Sequence, residues 1–292
     1  AYSIAASGGA SNVQLELARG STIERRFLLP PGDGVSHYRY VIDLKATGPA
    51  TTPDRVSARR PAPRRAEKPL IVIDAGHGGR DPGASGGEAQ EKAVTLAAAL
   101  QLKAELERKG RYRVRLTRDD DSYVDLYRRV AIARNADADL FISLHADSLR
   151  VAELRGASVY TLSETASDAE AARLATEENQ ADVLAGTDLS RHDAAVATIL
   201  LDLAQRDTNN RSITFADLLA EELSAVAPMV RRHRRFAGFA VLKSPDVPSV
   251  LLELGYLSNP DDARNLAEPD YRAKLSKAIV RAVDRFFADP PT

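Results

Sequence analysis

Four side chains, far apart in the 292 residues, have the types and settings for hydrolytic chemistry. His77 leaves the apolar run Leu70–Asp74 (LIVID) through Ala75-Gly76 and is followed by Gly78-Gly79. His145 directly follows Leu140–Leu144 (LFISL), Glu253 lies inside SVLLELGYL, and Glu91 opens a long helical pattern. Taken singly, most of these have plain explanations. A histidine after a strand is more often a hydrogen-bonded loop residue than a ligand, and Glu91 reads first as favourable charge at a helix N-terminus. Glu253 is the anomaly, because a carboxylate in an apolar strand is costly to bury unless it is paired, protonated or near a cation. Taken together they form a consistent set. Two imidazoles and a carboxylate are typical protein ligands of a catalytic zinc, with a fourth position left for water. A second carboxylate is then needed to take a proton and pass it to the leaving group, and Glu253 is the candidate. The chain has no cysteine, which removes disulfides, thiolate zinc sites and cysteine nucleophiles.

These positions require a particular scaffold. From Pro69 onward strand patterns alternate with helix patterns, which predicts an α/β fold: a mixed, mainly parallel sheet flanked by helices on both faces, preceded by a small β remnant. Such sheets build their sites past the carboxyl ends of strands, where His77, His145 and Glu253 fall. The predicted strands are Leu70–Asp74, Tyr112–Thr117, Leu140–Leu144, Ala157–Leu162, Phe239–Lys243 and Ser249–Leu254. The predicted helices are Glu91–Lys109, Leu126–Asn135, Ile213–Ser224 and Tyr271–Phe287. An insertion over about residues 164–210 interrupts the alternation and itself reads as helical, at Ala169–Glu178 and Ala194–Gln205. The second piece carries an apolar stripe of Val196, Leu200 and Leu203 with Ile199 beside it. A connection this long in a compact domain is usually functional, often a lid.

Residues 1–46 show two strand patterns, Asn12–Leu17 and Tyr38–Leu44, with a turn signal at Pro30–Gly34. Such a segment is too small to stand alone and reads as a partial β domain. Residues 47–68 are a Pro/Arg-rich linker, and 69–292 the catalytic domain. The net charge of -1 provides no global field for nucleic acid or an anionic membrane. The basic runs Arg59–Arg65 and Arg231–Arg235 read as a solvated linker and a solvated loop. No apolar run approaches the roughly 20 residues of a membrane span. The start at Ala1-Tyr2, with no signal-peptide pattern, predicts a mature or trimmed chain whose targeting segment lies elsewhere.

The segments IVIDAGHGGRDPGA, Glu91-Lys92, RVRLTRDDDSYVDLYRRVAIARNADADLFISLHAD and PSVLLELGYLSN resemble the zinc-dependent N-acetylmuramoyl-L-alanine amidases, in particular the AmiC-like members used in cell division. The resemblance covers about residues 69–290. It implies hydrolysis of the amide between N-acetylmuramic acid and the L-alanine of the peptidoglycan stem peptide, with zinc-activated water as the nucleophile. It implies one zinc per chain on His77, Glu91 and His145, with Glu253 as the catalytic glutamate. The insertion resembles the helix that plugs the active site of division amidases until a partner, a LytM-type activator, displaces it. In LATEENQADVLAG the resemblance points to Glu178 as the plugging carboxylate, with Glu177 and Asp182 as alternatives. The stripe Val196, Ile199, Leu200, Leu203 would be the activator's docking face or part of the enzyme's own core. The run YRYVIDLKA resembles the closing strand of an AMIN domain, and the family implies a periplasmic location. A zinc peptidase of related architecture and a catalytically silent wall-binding protein are the alternative readings.

Overall fold

The computed structural model describes the backbone of residues 2–7, 10–15, 21–29 and 39–46, and residues 68–86, 89–148, 153–184 and 198–288. Side chains are described over 68–86, 89–148, 153–180, 208–230 and 234–288. The chain divides into two compact units, residues 1–65 and 66–292.

In the first unit β1 (Tyr2–Ser7) pairs antiparallel with β2 (Ala10–Leu15), and β3 (Ser21–Leu29) pairs antiparallel with β4 (Arg39–Ala46). β2 and β4 correspond to the two predicted strands, shifted by one or two residues. β1 and β3 were not foreseen. In β3 the pairing slips between Ile23 and Arg25, and its sequence STIERRFLL has no strict apolar–polar alternation to mark a strand. The predicted turn at 30–34 and linker residues 47–67 lie outside the described residues.

The second unit is built on β5 (Leu70–Ala75), the two-residue pair β6 (Ser85–Gly86) and β7 (Ala89–Gln90), and α1 (Glu91–Arg108). There follow β8 (Arg113–Leu116), α2 (Leu126–Asn135), β9 (Leu140–His145), β10 (Ala157–Leu162), α3 (Ala169–Leu184), α4 (Thr198–Ser224), β11 (Met229–Ala237), β12 (Ser249–Glu253), α5 (Pro260–Ala267) and α6 (Pro269–Ala288). The six-stranded sheet runs β11-β10-β12-β9-β5-β8. Only the β10–β12 pairing is antiparallel; the other four are parallel. Apolar side chains line both faces. Ile71, Ile73, Ile142 and Leu252 pack with Leu102 of α1, Phe215 and Leu219 of α4, and Ile279, Val283 and Phe286 of α6. Val72, Phe141, Tyr160 and Leu251 face the other way, toward Ala133 of α2, Leu174 of α3 and Phe239. Burial on both faces is why β5, β9 and β12 read as nearly continuous apolar runs.

Three elements differ from expectation. Phe239–Lys243 is not a strand: Ala240–Leu242 form one 3-10 turn, and the strand is β11, just upstream. Its basic run, read as a solvated loop, lies on the sheet's edge, where charged residues are tolerated and guard against further pairing. Helix α4 is continuous from Thr198 to Ser224, so it begins within the insertion and runs into the body of the domain. Helix α5 was missed although its start is well signalled: Asn259 caps it, accepting the N–H groups of Asp261 and Asp262, and Pro260 opens it. The side chains of the proposed docking stripe, Val196 to Leu203, lie outside the described residues. Among the described residues no helix is long and apolar enough to cross a membrane.

Candidate metal centre

The parallel strands β5, β9 and β12 end at one edge of the sheet, and their register sets His145 directly across from Glu253. His77 stands two residues beyond β5 in the left-handed region, with φ 60, ahead of Gly78 and Gly79, which also have positive φ. That conformation is held by two buried arginines. Arg129 donates to the carbonyls of Ala75 at 2.6 Å and His77 at 2.8 Å, and Arg118 donates to those of Ala75 and Gly76, both at 2.9 Å. Arg129 also pairs at 2.7 Å with Asp74, whose carboxyl accepts from Thr117 and Ser143 as well. Burial alone would raise the Asp74 carboxyl; Arg129 and the two hydroxyls outweigh it and hold the group below its ordinary value.

Glu91 is not a surface charge at a helix start. Its side chain is fully buried, and its two oxygens accept the N–H groups of Ala84 and Ala146, each at 2.8 Å. Space for the cluster comes from two glycines. A Cβ on Gly76 would lie 2.5 Å from the His145 ring, and one on Gly83 would lie 2.6 Å from the His77 ring and 2.7 Å from Glu91 Oε2.

These elements bring His77, Glu91, His145 and Glu178 together, one donor atom from each lying within 4.8 Å of all the others. His77 Nε2 is 3.2 Å from Glu91 Oε2 and 3.6 Å from Glu178 Oε1. His145 Nδ1 is 3.1 Å from Glu91 Oε1 and 3.4 Å from Glu178 Oε2. Imidazole nitrogens and carboxylate oxygens gathered this closely are the donor types that hold a small divalent ion such as zinc. His77 Nε2 is moreover buried with no hydrogen-bond partner. Burial works to lower both imidazoles, yet Glu91 and Glu178 outweigh it and raise both well above the ordinary histidine value. The carboxylate field that demands protons on these rings is one that a divalent cation would neutralise. The residues present therefore fit a metal.

The sequence profile described as N-acetylmuramoyl-L-alanine amidase matches residues 71–285. The chain belongs to the N-acetylmuramoyl-L-alanine amidase family. It is 40% identical over 222 residues to the amidase AmiA of Escherichia coli, covering 75% of this chain and 76% of that protein. It is 38% identical over 225 residues to AmiC of Neisseria meningitidis, covering 76% of this chain but 54% of that longer protein. Among solved structures, amidase AmiC2 of Nostoc punctiforme matches with a TM-score of 0.57 at 26% identity, over 77% of this chain and all of that one. This amidase is accordingly an amide hydrolase of the peptidoglycan-cleaving type.

The remaining predicted residues fall as follows. Glu253 is fully buried in β12 beside the cluster, outside the set of donor atoms. Burial chiefly raises its carboxyl well above the ordinary value; His145 opposes this, while Glu91 and Asp147 add to it. One oxygen accepts the N–H of Asp147 at 3.0 Å; Oε1 is buried without a partner. Glu178 reaches the cluster from α3, and His145 and His77 hold its carboxyl down at about 2 against burial. Glu177 instead pairs with Arg173 and lies half-exposed, and the side chain of Asp182 lies outside the described residues.

Sequence reasoning missed several groups that shape the amidase's site. Asp147 lines a cavity of about 260 Å³ with Arg80, Asp81, Gly83 and Glu177, and burial, then Glu91 and Glu178, push its carboxyl up to about 7. Asp81 stands 2.8 Å from His77 Nδ1. Asp74 breaks the apolar run LIVID just as Glu253 breaks its own, so the rule that exposed one applies to both; the structure shows Asp74 satisfied by Arg129 as scaffold.

Proposed function

We propose that the amidase cleaves the bond between N-acetylmuramic acid and L-alanine at a single zinc held by His77, Glu91 and His145, with Glu253 as the catalytic acid–base. The observation that supports this best is the convergence of four buried imidazole and carboxylate donors, each within 4.8 Å of the others, beside Glu253, whose Oε1 has no partner. Zinc in such a site supplies Lewis acidity, acidifying water and polarising the scissile carbonyl. The protein's own part is positional. Arg129 and Arg118 fix the loop that presents His77, the Ala84 and Ala146 N–H groups fix Glu91, and the Asp147 N–H fixes one oxygen of Glu253. A divalent cation beside it would offset the burial and the neighbouring carboxylates that raise this carboxyl, and the ionised Oε1 of Glu253 is then the atom that takes the proton from the attacking water and returns it to the departing nitrogen.

Glu178 keeps the enzyme off in this reading. Its carboxylate lies within 3.6 Å of both imidazole donors, where substrate and water must come, and tethering on α3 gives it a high effective concentration. A periplasmic partner of LytM type would displace α3 during cell division, and the β strands of residues 1–46 would belong to an AMIN-like wall-locating module. Digestion of purified peptidoglycan tests the activity. Mass spectrometry should show stem peptides with a free N-terminal L-alanine; fragments cut within the stem would instead identify a peptidase.

A further inference from the structure

The geometry points to Asp81 as the positioning residue that turns His77 into a metal donor, an inference that rests on reading this cluster as a metal centre. Of the two nitrogens of His77, Nε2 faces the donor set, and Nδ1 lies 2.8 Å from Asp81 Oδ2. A carboxylate there selects the tautomer with the proton on Nδ1, because a bare Nδ1 would set a lone pair against an anion. That leaves the Nε2 lone pair free for a cation. The hydrogen bond also makes the ring more basic and restricts its rotation, the usual work of an outer carboxylate behind a metal-bound imidazole.

Three features show that Asp81 is built for the position. Its other oxygen accepts the Gly83 N–H at 3.1 Å, so both carboxylate oxygens are fixed. Its backbone exchanges two hydrogen bonds with Gly78, N to O at 2.9 Å and 3.1 Å, which close the loop between the histidine and the aspartate. Gly83 then passes so close to the His77 ring that any Cβ would strike it. The loop carries His77 on a left-handed backbone, an unusual conformation for a side chain other than glycine, and Asp81 supplies the contact that fixes where that ring points.

The test is zinc affinity, measured on metal-stripped full chain by competition with a chromophoric chelator. Asp81→Asn should weaken binding about tenfold and Asp81→Ala up to about a hundredfold. The His77 Nδ1–H resonance of the zinc-loaded wild type should move in Asp81→Asn. A purely structural role predicts something else: lower thermal stability of the metal-free variants with unchanged zinc affinity. Asp81→Asn that folds, binds zinc like the wild type and keeps the His77 resonance in place overturns the inference. A wild-type chain that takes up no zinc would instead overturn the metal-centre reading, so the two failures are distinguishable.

Discussion

Two sides of the active site are attached to the protein by different means. On one side, His77, His145 and Glu253 are carried at the ends of β5, β9 and β12, neighbours in the sheet, and Glu91 is tied to the backbone of Ala84 and Ala146. On the other side stands α3 with Glu178. Its apolar anchors are Ala171, Leu174 and Ala175, and its polar ones are single side chains. Arg173 reaches the Ser148 carbonyl at 3.2 Å. Asn179 donates to the Gly238 carbonyl and accepts the Ala240 N–H. Asp168, at the helix start, pairs with Arg235. The first side cannot move without breaking sheet ladders, whereas among the described residues the second is held by the burial of Leu174 and its two alanines and by a few polar contacts worth about 0.5–1.5 kcal/mol each. The groups assigned to chemistry thus sit on the immovable side, and the carboxylate assigned to inhibition sits on the removable one.

The comparison breaks most visibly at Glu253. Glu253→Gln keeps size and the Asp147 contact but removes the proton-carrying group, and hydrolysis of peptidoglycan should fall by about 10²–10⁴-fold. Zinc content should stay unchanged, since Glu253 lies outside the donor set. Full activity with zinc retained would remove Glu253 from the mechanism.

Next in size is the scaffold beneath His77. Arg129→Met strips Asp74 of its cation and leaves a buried carboxylate unpaired, a loss of about 3–5 kcal/mol in unfolding free energy. Adding Asp74→Asn should recover part of that loss, because the stranded charge is gone. If the single variant loses under about 1 kcal/mol by denaturant titration, the immovable side is not held as described.

The same contrast governs what could be read from the sequence. LIVID, LFISL and SVLLEL gave away the strands of the rigid side, because buried parallel strands leave continuous apolar runs and the active groups follow at their ends. Glu91 was ambiguous for a physical reason. Its burial depends on Ala146, 55 positions away, and no local pattern carries that contact. Asp81 and Asp147 acquire meaning only once the loops close around the cluster. β11 was hidden because an edge strand rich in arginine lacks the apolar run that marks a buried one. The full length of α4 was hidden because the polar stretch Arg206–Ser212 (RDTNNRS) reads as a break between two helices, yet the helix runs through it.

On the removable side, Glu178→Ala withdraws the competing carboxylate while leaving the assigned zinc donors in place. Basal hydrolysis without any activator should rise on the order of tenfold, as the effective concentration of the internal competitor is lost. Unchanged basal activity in a folded, zinc-loaded variant would retire the plug reading, whatever holds α3 in place.

The smallest effect belongs to the start of α3 and carries a pH signature. Asp168 accepts from Arg235, from the Ala171 N–H at 3.0 Å and from Ser167 at 2.9 Å. Burial pushes its carboxyl up, but these partners, Arg235 foremost, bring it down from 3.8 to about 2. A carboxyl depressed on folding stabilises fully above its unfolded value, and the stabilisation fades as pH falls through the folded one. With the side chain 27% exposed, solvent screening holds the contribution to about 1 kcal/mol. Asp168→Asn in metal-free protein should therefore reduce amide-exchange protection along α3 about fivefold at pH 6, and the gap to wild type should close as the pH approaches 2. An equal gap at both pH values would show that shape rather than charge seats the helix, and the ionic part of its attachment would have to be abandoned.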